Sequence, residues 1–459
     1  MNAPASTFES DSALTRELDS ICASAAFRHS PQQQRLLRHL ITKLGAGDLA
    51  SLREMTLGIE VFRRPAVEFD PKKDPIVRVE MGRLRERLAR YYALEGERST
   101  IEIVVPIGSY VPVVRARSLP AALTAATPAG AQLLQERAGY VMRLRTIEGY
   151  RKALELYSRA TREFPDFAPA HRGIGWARIC TAGFDGVPPE AGEQGAPLLA
   201  AIEAAAALDP AHPEVFALKG CYVTRYDHDI ESAERMYRDA LSCSSASSVS
   251  RSSYAWLCVL TGRFDEAQRL FDEAYAGDPF GFWHRHNLGS LAFYRGDYAA
   301  AEKIVREALE IEPDHAMIRL LLARVLMHSG RGADAIAETE WCVRALPGMT
   351  GPELFHVIAL ACAGERQAAA ATMRDFERGC ESRYTSSAYR AMAYTALDES
   401  DRALECLSRA ARERDYWLLN IAIDPAFDRL RSRAEFSAIV RAIGLPDSNF
   451  IGSGDRRGH

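Results

Sequence analysis

Small apolar residues recur at a fixed spacing over the C-terminal two thirds of the chain. The most regular are six alanines, each 34 residues after the last: Ala233, Ala267, Ala301, Ala335, Ala369 and Ala403. A mostly larger side chain follows each alanine after four positions, and a second small residue usually precedes it by about twelve, as Gly289 precedes Ala301. A unit of this length holds two antiparallel helices of about 13 residues, with small residues where the helices approach closely. The pattern therefore predicts a series of packed helix pairs.

Glycine and proline mark where the predicted helices end. Proline stops the second helix of three units, at Pro279, Pro313 and Pro347, because it cannot continue a helix. Four glycines fall at the turn inside a unit, where a helix commonly ends in a left-handed conformation that glycine adopts at low cost. They are Gly262, Gly296, Gly330 and Gly364. Both residue types support the same unit boundaries.

Two less regular copies precede this run. One carries Ala153, Tyr157 and Ala160 at the same offsets. The other is stretched by about 11 residues in a loop rich in Gly and Pro, predicted over 181–197. The sequence thus predicts about eight repeats. The closing stretch, 424–445, is predicted to form a capping helix pair that covers the last apolar face.

The positions of these residues resemble the tetratricopeptide-repeat (TPR) family over about two thirds of the chain. The resemblance implies an α-solenoid over residues 131–445, with a protein or peptide partner in a groove lined by the first helix of each unit. Seven residues are then predicted to face the groove: Trp256, Trp283, His286, Phe293, Met317, Leu320 and Met327. Alternatively, these side chains pack between repeats, or the chain fills the groove itself. The Lys and Asn set with which some family members clamp a C-terminal carboxylate is not recognisable.

Residues 1–117 do not follow the 34-residue period, and their pattern predicts three helices and then two strands. In the third helix an apolar stripe from Val77 to Tyr91 recurs at helical spacing and predicts the inward face. A turn at Gly108-Ser109 is predicted to join the strands. The predicted helices are 30 to 45 or 47, 55–62 and 75–95, and the predicted strands are 100–105 and 110–114.

The third helix is rich in arginine, and residues 1–117 carry 18 Lys and Arg against 15 Asp and Glu. Residues 83–88 (RLRERL) and 104–110 (VVPIGSY) resemble the recognition helix and wing of OmpR-like winged-helix domains. Residues 57–62 and 74–80 look closer still to an N-terminal domain of bacterial TPR-containing regulators. The resemblance implies that the helix enters the major groove of duplex DNA, while the hairpin approaches the neighbouring minor groove or backbone.

By this resemblance nine residues are candidates for DNA contact: Lys72, Lys73, Arg78, Arg83, Arg85, Arg87, Arg90, Ser109 and Tyr110. Two features differ from the family pattern. Glu80 and Glu86 dilute the basic face, and the predicted hairpin tip at 107–109 carries no Lys or Arg. The alternatives are a solvated Arg/Glu helix face, a winged helix used for protein contact, and an unrelated fold.

Composition narrows the class of function. The nine cysteines show no C-x-x-C spacing, and no segment has the apolar length of a signal peptide or a bilayer span. We therefore expect a cytoplasmic protein without membrane contact. Nucleotide-binding, serine-hydrolase and zinc-protease motifs are absent from the sequence, so we expect no catalytic residues, no metal and no cofactor.

The sequence as a whole predicts a mainly α protein, a TPR α-solenoid of about eight helix pairs preceded by a small α+β winged-helix domain. The predicted domains are 1–117 and 131–445, with a linker over 118–130 and a disordered tail over 446–459. The expected function is a non-enzymatic, DNA-binding transcriptional regulator whose solenoid binds a protein or peptide or mediates homo-oligomerisation. The alternative is a scaffold that does not bind DNA, for example an accessory protein of a signalling enzyme.

Overall fold

The computed structural model of the chain divides into two compact units, Met1–Pro165 and Asp166–His459. The predicted tail at 446–459 and most of the predicted linker lie outside the described residues. The structure describes residues 6–28, 30–67, 69–71, 73–96, 99, 101–106, 108–116, 128–185, 195–243, 247–276, 282–380 and 383–445. None of the helices in these ranges is long and apolar enough to cross a membrane.

The first unit consists of helices interrupted by one small antiparallel sheet. Its helices are α1 (Ser6–Ala23), α2 (Pro31–Gly45), α3 (Glu54–Glu60), α4 (Ile76–Leu94), α5 (Pro128–Arg143) and α6 (Ile147–Glu163), and its strands are β1 (Ile101–Val104) and β2 (Val113–Ala116). The three predicted helices are confirmed as α2, α3 and α4, with ends shifted by two residues at most. Helix α1 was not predicted, because only a short apolar face, including Leu18 and Ile21, joins it to the core.

The predicted apolar stripe of α4 lies at the centre of this core. Val77, Met81 and Leu84 are fully buried, and they belong to one cluster with Leu36 and Leu40 of α2. Burial of each such side chain contributes about 1.5–3 kcal/mol. The inward direction of α4 fixes which of its arginines can face solvent.

The hairpin differs from its prediction in the second strand. Ile101 pairs with Ala116 and Val104 with Val113, so β2 begins at 113 instead of 110. The predicted tight turn at 108–109 is therefore wrong, because the chain between the strands runs from 105 to 112. Its carbonyl groups bond to a side chain of α4 instead of to a partner strand.

Helices α5 and α6 form the first predicted helix pair. Ala153 and Ala160 on α6 are fully buried, as their repeat positions require. Helix α5 begins at Pro128, so the last three residues of the predicted linker, 128–130, are helical.

Seven successive helix pairs are seen among the described residues of the second unit. Their first helices are α7 (Ala168–Asp185), α9 (Pro213–Tyr222), α11 (Ser248–Leu260), α13 (Phe282–Arg295), α15 (Ala316–His328), α17 (Thr350–Cys362) and α19 (Ser387–Ala396). Their second helices are α8 (Gly195–Leu208), α10 (Ile230–Ser242), α12 (Phe264–Ala274), α14 (Tyr298–Ile311), α16 (Gly332–Ala345), α18 (Arg366–Gly379) and α20 (Ser400–Glu413). Helices α7 and α8 extend into the predicted loop at 181–197, whose residues 186–194 lie outside the description.

The repeated small residues pack where the pattern places them. All six alanines of the 34-residue series are fully buried. A methyl group added to Gly289 would lie 2.6 Å from Cγ2 of Val305, and one added to Gly220 would lie 3.0 Å from Cζ of Tyr237. The first and second helices of a pair therefore touch through a small residue facing a larger one. The four turn glycines have φ between +74° and +90°, which confirms their predicted conformation.

The C-terminal segment, residues 415–445, departs from the predicted capping helix pair. It contains two 3-10 turns, Tyr416–Asn420 and Pro425–Leu430, and one helix, α21 (Ala434–Ala442). Its first turn contacts α7 as well as α19 and α20. Near its end, a methyl group added to Gly444 would lie 2.3 Å from the carbonyl oxygen of His228. The segment therefore packs against early helices of the unit and does more than cover the last pair.

Candidate functional site

The outward face of α4, which was predicted to contact DNA, is nearly neutral. The Arg78 side chain is 53% exposed and Val79 is 44% exposed. Gly82 has open space where a side chain would stand, and Glu86 and Ala89 continue the same face toward the C-terminus of the helix. Since each neutralised phosphate contributes separately to nucleic-acid affinity, this face offers modest electrostatic attraction.

Arg78 belongs to a small polar cluster formed by α3, α4 and the chain between the strands. Its Nε lies 3.1 Å from Oε1 of Glu54, and its Nη2 donates to the carbonyl oxygen of Pro71 at 2.6 Å. Tyr110 lies beside Glu54, and burial together with this carboxylate raises the pKa of the Tyr110 hydroxyl. The structure thus brings together two predicted DNA-contact residues, Arg78 and Tyr110. It also supplies a carboxylate that competes with phosphate for Arg78.

Arg85 holds the chain between the strands and does not face solvent freely. Its Nε donates to the carbonyl oxygen of Val105 at 2.9 Å, and its Nη2 donates to those of Pro106 and Ser109 at 3.1 and 3.0 Å. One guanidinium therefore satisfies three carbonyls that have no strand partner. Arg85 and Ser109 were both predicted to contact DNA, and the structure corrects this by pairing them with each other.

Arg83 is tied to a buried carboxylate. Its Nη1 lies 2.6 Å from Oε1 of Glu80, which is 6% exposed and also accepts a hydrogen bond from Nε2 of Gln33. Glu80 was predicted to dilute the basic outer face. In the structure it lies inside, where it needs Gln33 and Arg83 to compensate its burial.

The last two arginines of α4 also turn toward the protein. Arg87 donates from Nη1 to the carbonyl oxygen of Ala26. Arg90 lies beside Tyr140 of α5, and its charge acts on the pKa of that hydroxyl. Neither residue is placed as the predicted DNA interface requires.

Two lysines complete the predicted DNA-contact set. Lys73 is exposed just before α4, whereas Lys72 lies outside the described residues. Of the predicted set, Lys73 and Arg78 therefore present cations to solvent most openly, with Tyr110 nearby.

The seven predicted groove residues of the second unit fall into three groups. Trp256, Trp283 and Met317 are half-buried, whereas His286, Leu320 and Met327 are buried and Phe293 has no exposed surface. The Arg324 guanidinium covers the Phe293 ring at 4.5 Å, and Tyr294 packs on its edge. The prediction that Phe293 faces a partner is corrected, because its ring is part of the core.

Trp283 joins the start of α13 to the start of α15. Its ring stacks on His286, with centroids 4.4 Å apart and planes 3° apart, and His315 follows at 6.4 Å. The remaining half of the indole faces outward. A large, rigid and partly exposed ring of this kind is typical of residues that dominate protein interfaces.

The first-helix face of α15 is covered by the C-terminal segment. Nη2 of Arg324 donates to Oδ2 of Asp424, and their side chains are 14% and 1% exposed. Nη1 of Arg324 lies 3.4 Å from the hydroxyl of Tyr294 on α13. This part of the predicted groove is therefore filled by the chain itself, which is the alternative that the sequence left open.

The aromatic start of the C-terminal segment is held by three helices. The Arg225 guanidinium lies 4.2 Å above the Tyr416 ring, and its Nη1 donates to the carbonyl oxygen of Ile179 on α7 at 3.2 Å. Trp417 stacks on Tyr389 of α19 at 5.0 Å. These contacts connect the turn after α9, α7 and α19 through one short stretch of chain.

Asp415 fixes the beginning of this stretch. Its Oδ2 accepts hydrogen bonds from Oγ of Ser386 at 2.8 Å and from the amide of Ala388 at 3.1 Å. Its Oδ1 accepts from the amide of Trp417 at 3.0 Å. Burial raises the pKa of this carboxyl, although these hydrogen bonds oppose the shift. Asp415 therefore links the first turn of α19 to the C-terminal segment.

Sequence reasoning missed the residues that hold the C-terminal segment. Arg324 directly follows Ala323 of the repeat pattern, so its place on the first helix was available from the sequence. Asp424 was assigned to the cap. Nothing in the pattern placed the two opposite each other, because a contact across 100 residues occurs once and has no period.

Comparison with known proteins gives one family match and a set of distant structures. Residues 292–340 match the family described as Tetratricopeptide repeat. No curated protein matches the sequence significantly. Among solved structures, a human IFIT1 dimer with m7Gppp-AAAA is 15% identical with a TM-score of 0.45, covering 87% of this chain and 94% of that one. Pseudomonas aeruginosa pilF is 16% identical with a TM-score of 0.35, covering 46% and 90%.

A tetratricopeptide repeat protein from Parabacteroides merdae is 14% identical, with a TM-score of 0.37 and coverage of 72% of this chain and 99% of that one. At these values the likeness carries no argument about function. The matched stretch 292–340 includes α14 and α15, whose spacing follows the 34-residue period of the sequence. The chain is therefore one that carries tetratricopeptide repeats.

Proposed function

We propose that the protein is a scaffold that binds a protein partner through the helix pairs of its second unit. One observation carries this function: Trp256, Trp283 and Met317 are half-exposed on three successive first helices, α11, α13 and α15. Tryptophan and methionine are enriched where proteins contact each other, because both offer large contact areas. We place the protein in the cytoplasm, in keeping with nine cysteines that are all free thiols.

The C-terminal segment narrows where a partner binds. It covers Arg324 and its neighbours in the middle of the first-helix face, so a partner meets the N-terminal ends of the first helices. Trp283 and Met317 lie at those ends, in the first turns of α13 and α15. Binding there needs no displacement of the buried segment.

The test is partner retention by immobilised full-length protein from an extract of the source cells. We expect at least one protein to be retained by the wild type and reduced about tenfold or more by a Trp283→Ala/Met317→Ala variant. Trp341→Ala is the matched control, since Trp341 is a half-buried tryptophan on a second helix, α16. Equal loss in the control, or no retention above an empty matrix, would reject the function.

A second candidate function is duplex DNA binding by the first unit, with α4 and the hairpin acting as a winged-helix-like surface. It is favoured by Lys73 and Arg78, which are exposed near Tyr110. In this form of the proposal Arg85 is a positioning residue for the hairpin, so its removal would test folding and DNA contact together.

DNA binding is tested with duplex fragments over a salt series. Loss of two phosphate contacts in a Lys73→Ala/Arg78→Ala variant should reduce the slope of log affinity against log salt by about 1.8. Arg115→Ala is the control, because Arg115 is 61% exposed on β2 and pairs with Glu102. The candidate function fails if the wild type does not bind, or if the double variant and the control keep the same slope.

A further inference from the structure

Arginine and tyrosine side chains gather between α7, the turn after α9 and the start of the C-terminal segment. Tyr226 lies beside both Arg178 and Arg225, whose charges oppose the rise in its pKa that burial causes. Tyr222 packs on Tyr226 with ring centroids 4.9 Å apart. Arg225 also lies over Tyr416. The cluster belongs wholly to the second unit.

Arg178 lacks the compensation that a half-buried cation normally has. Its Nε is shielded from solvent, and within the described ranges it has neither a hydrogen-bond partner nor a carboxylate at ion-pair distance. Burial lowers the pKa of its guanidinium, and the one opposing influence is Tyr226. Holding a cation in such a place costs free energy unless an anion joins it.

Other half-buried arginines of this unit are matched with carboxylates. Nη1 of Arg319 lies 2.7 Å from Glu338, and Arg324 binds Asp424. Arg225, like Arg178, has no carboxylate partner within the part of the chain that the structure describes. The two unmatched guanidinium groups both border Tyr226.

We propose that Arg178 and Arg225 form a binding site for a carboxylate side chain of an acidic peptide segment, and that the partner of the scaffold carries such a segment. This deepens the proposed scaffold function and rests on it. The Arg324–Asp424 pair shows the same recognition within the chain, since an aspartate in an extended stretch before a proline meets a first-helix arginine. The flanking rings of Tyr222 and Tyr226 exclude water and strengthen the attraction.

The probe for this site is a fluorescein-labelled decaglutamate peptide, with decaglutamine as the uncharged blank, titrated with full-length protein by fluorescence anisotropy. We expect decaglutamate to bind and Arg178→Gln to weaken it by about tenfold, the loss typical of a charge-assisted contact. Arg344→Gln is the control, because it removes the same charge from a 67% exposed residue on α16. Equal effects of the two substitutions, or binding of decaglutamate no tighter than decaglutamine, overturn the proposal.

Thermal unfolding without peptide gives an independent readout. Replacing an uncompensated cation should raise the Tm of Arg178→Met by a few degrees, roughly 2–4 °C. A lower Tm would mean that Arg178 stabilises the fold, and the site would be rejected. If Arg178→Gln retains the natural partner that Trp283→Ala/Met317→Ala loses, the acidic-segment proposal fails while the scaffold function stands.

Discussion

Asp424 accepts a hydrogen bond from Arg324, which lies 100 residues earlier in the sequence, and both side chains are buried. The pair is further enclosed by Phe293 and Tyr294. Removing one member of a buried ion pair leaves the other charge without compensation, which costs far more than losing an exposed pair.

We therefore expect Asp424→Ala to lower the free energy of unfolding by about 3–5 kcal/mol. Urea unfolding followed by circular dichroism measures the change. The double variant Arg324→Met/Asp424→Leu removes both charges and should recover more than half of the loss. A loss below about 1 kcal/mol for Asp424→Ala would show that the pair behaves as a surface contact.

Gly289 tests how closely the two helices of a pair approach. Its replacement by alanine places Cβ 2.6 Å from Cγ2 of Val305, so we expect destabilisation by about 1–3 kcal/mol. Adding Val305→Ala should relieve the clash and give non-additive energies. Gly45→Ala is the control, since nothing lies within 4 Å of the added methyl group. Equal unfolding midpoints for Gly289→Ala and Gly45→Ala would contradict the packing.

Arg85 should act on the stability of the hairpin more than on ligand contact. Arg85→Ala leaves three carbonyls, those of Val105, Pro106 and Ser109, without their donor. We expect a loss of about 1–3 kcal/mol and faster amide hydrogen exchange in β1 and β2. Arg115→Ala, on the exposed side of β2, should change stability by less than about 0.5 kcal/mol. Unchanged exchange in Arg85→Ala would remove the role assigned to this side chain.

His356 gives a pH dependence with a defined sign. Its Nδ1 lies 3.0 Å from Oγ1 of Thr339, and burial lowers its pKa below the usual 6.5. The unfolded chain therefore binds the proton at higher pH than the folded one, so stability is lost as the pH falls below about 6.5 toward the folded pKa. The Tm of the wild type should fall more than that of His356→Asn between about pH 7.5 and 5.5. Parallel falls in the two proteins would contradict this assignment.

Repetition made the helix pairs predictable. The alanine series states the same packing rule six times, so each buried position supports the others, and Ala233 through Ala403 are fully buried as expected. The inward face of α4 was predictable for a related reason, since Val77, Met81 and Leu84 share one helical stripe.

Contacts that occur once were not predictable. The start of β2 depends on Arg85, whose hydrogen bonds reach 20 to 24 residues along the chain. Because arginine side chains are long, the sequence of α4 does not reveal whether their donors reach solvent or carbonyls of the same unit. Glu80 shows the same limit, since its spacing suits either face and its burial depends on Gln33.

The contact between Gly444 and His228 changes how the second unit is expected to unfold. In an array of helix pairs that touch only their neighbours, terminal pairs can melt while the rest persists, and unfolding spreads by steps. Here the final residues bind a turn formed more than two hundred positions earlier, so losing the end also releases the beginning. The unit should therefore unfold with greater cooperativity than an open array. During synthesis it cannot close until its last residues have left the ribosome.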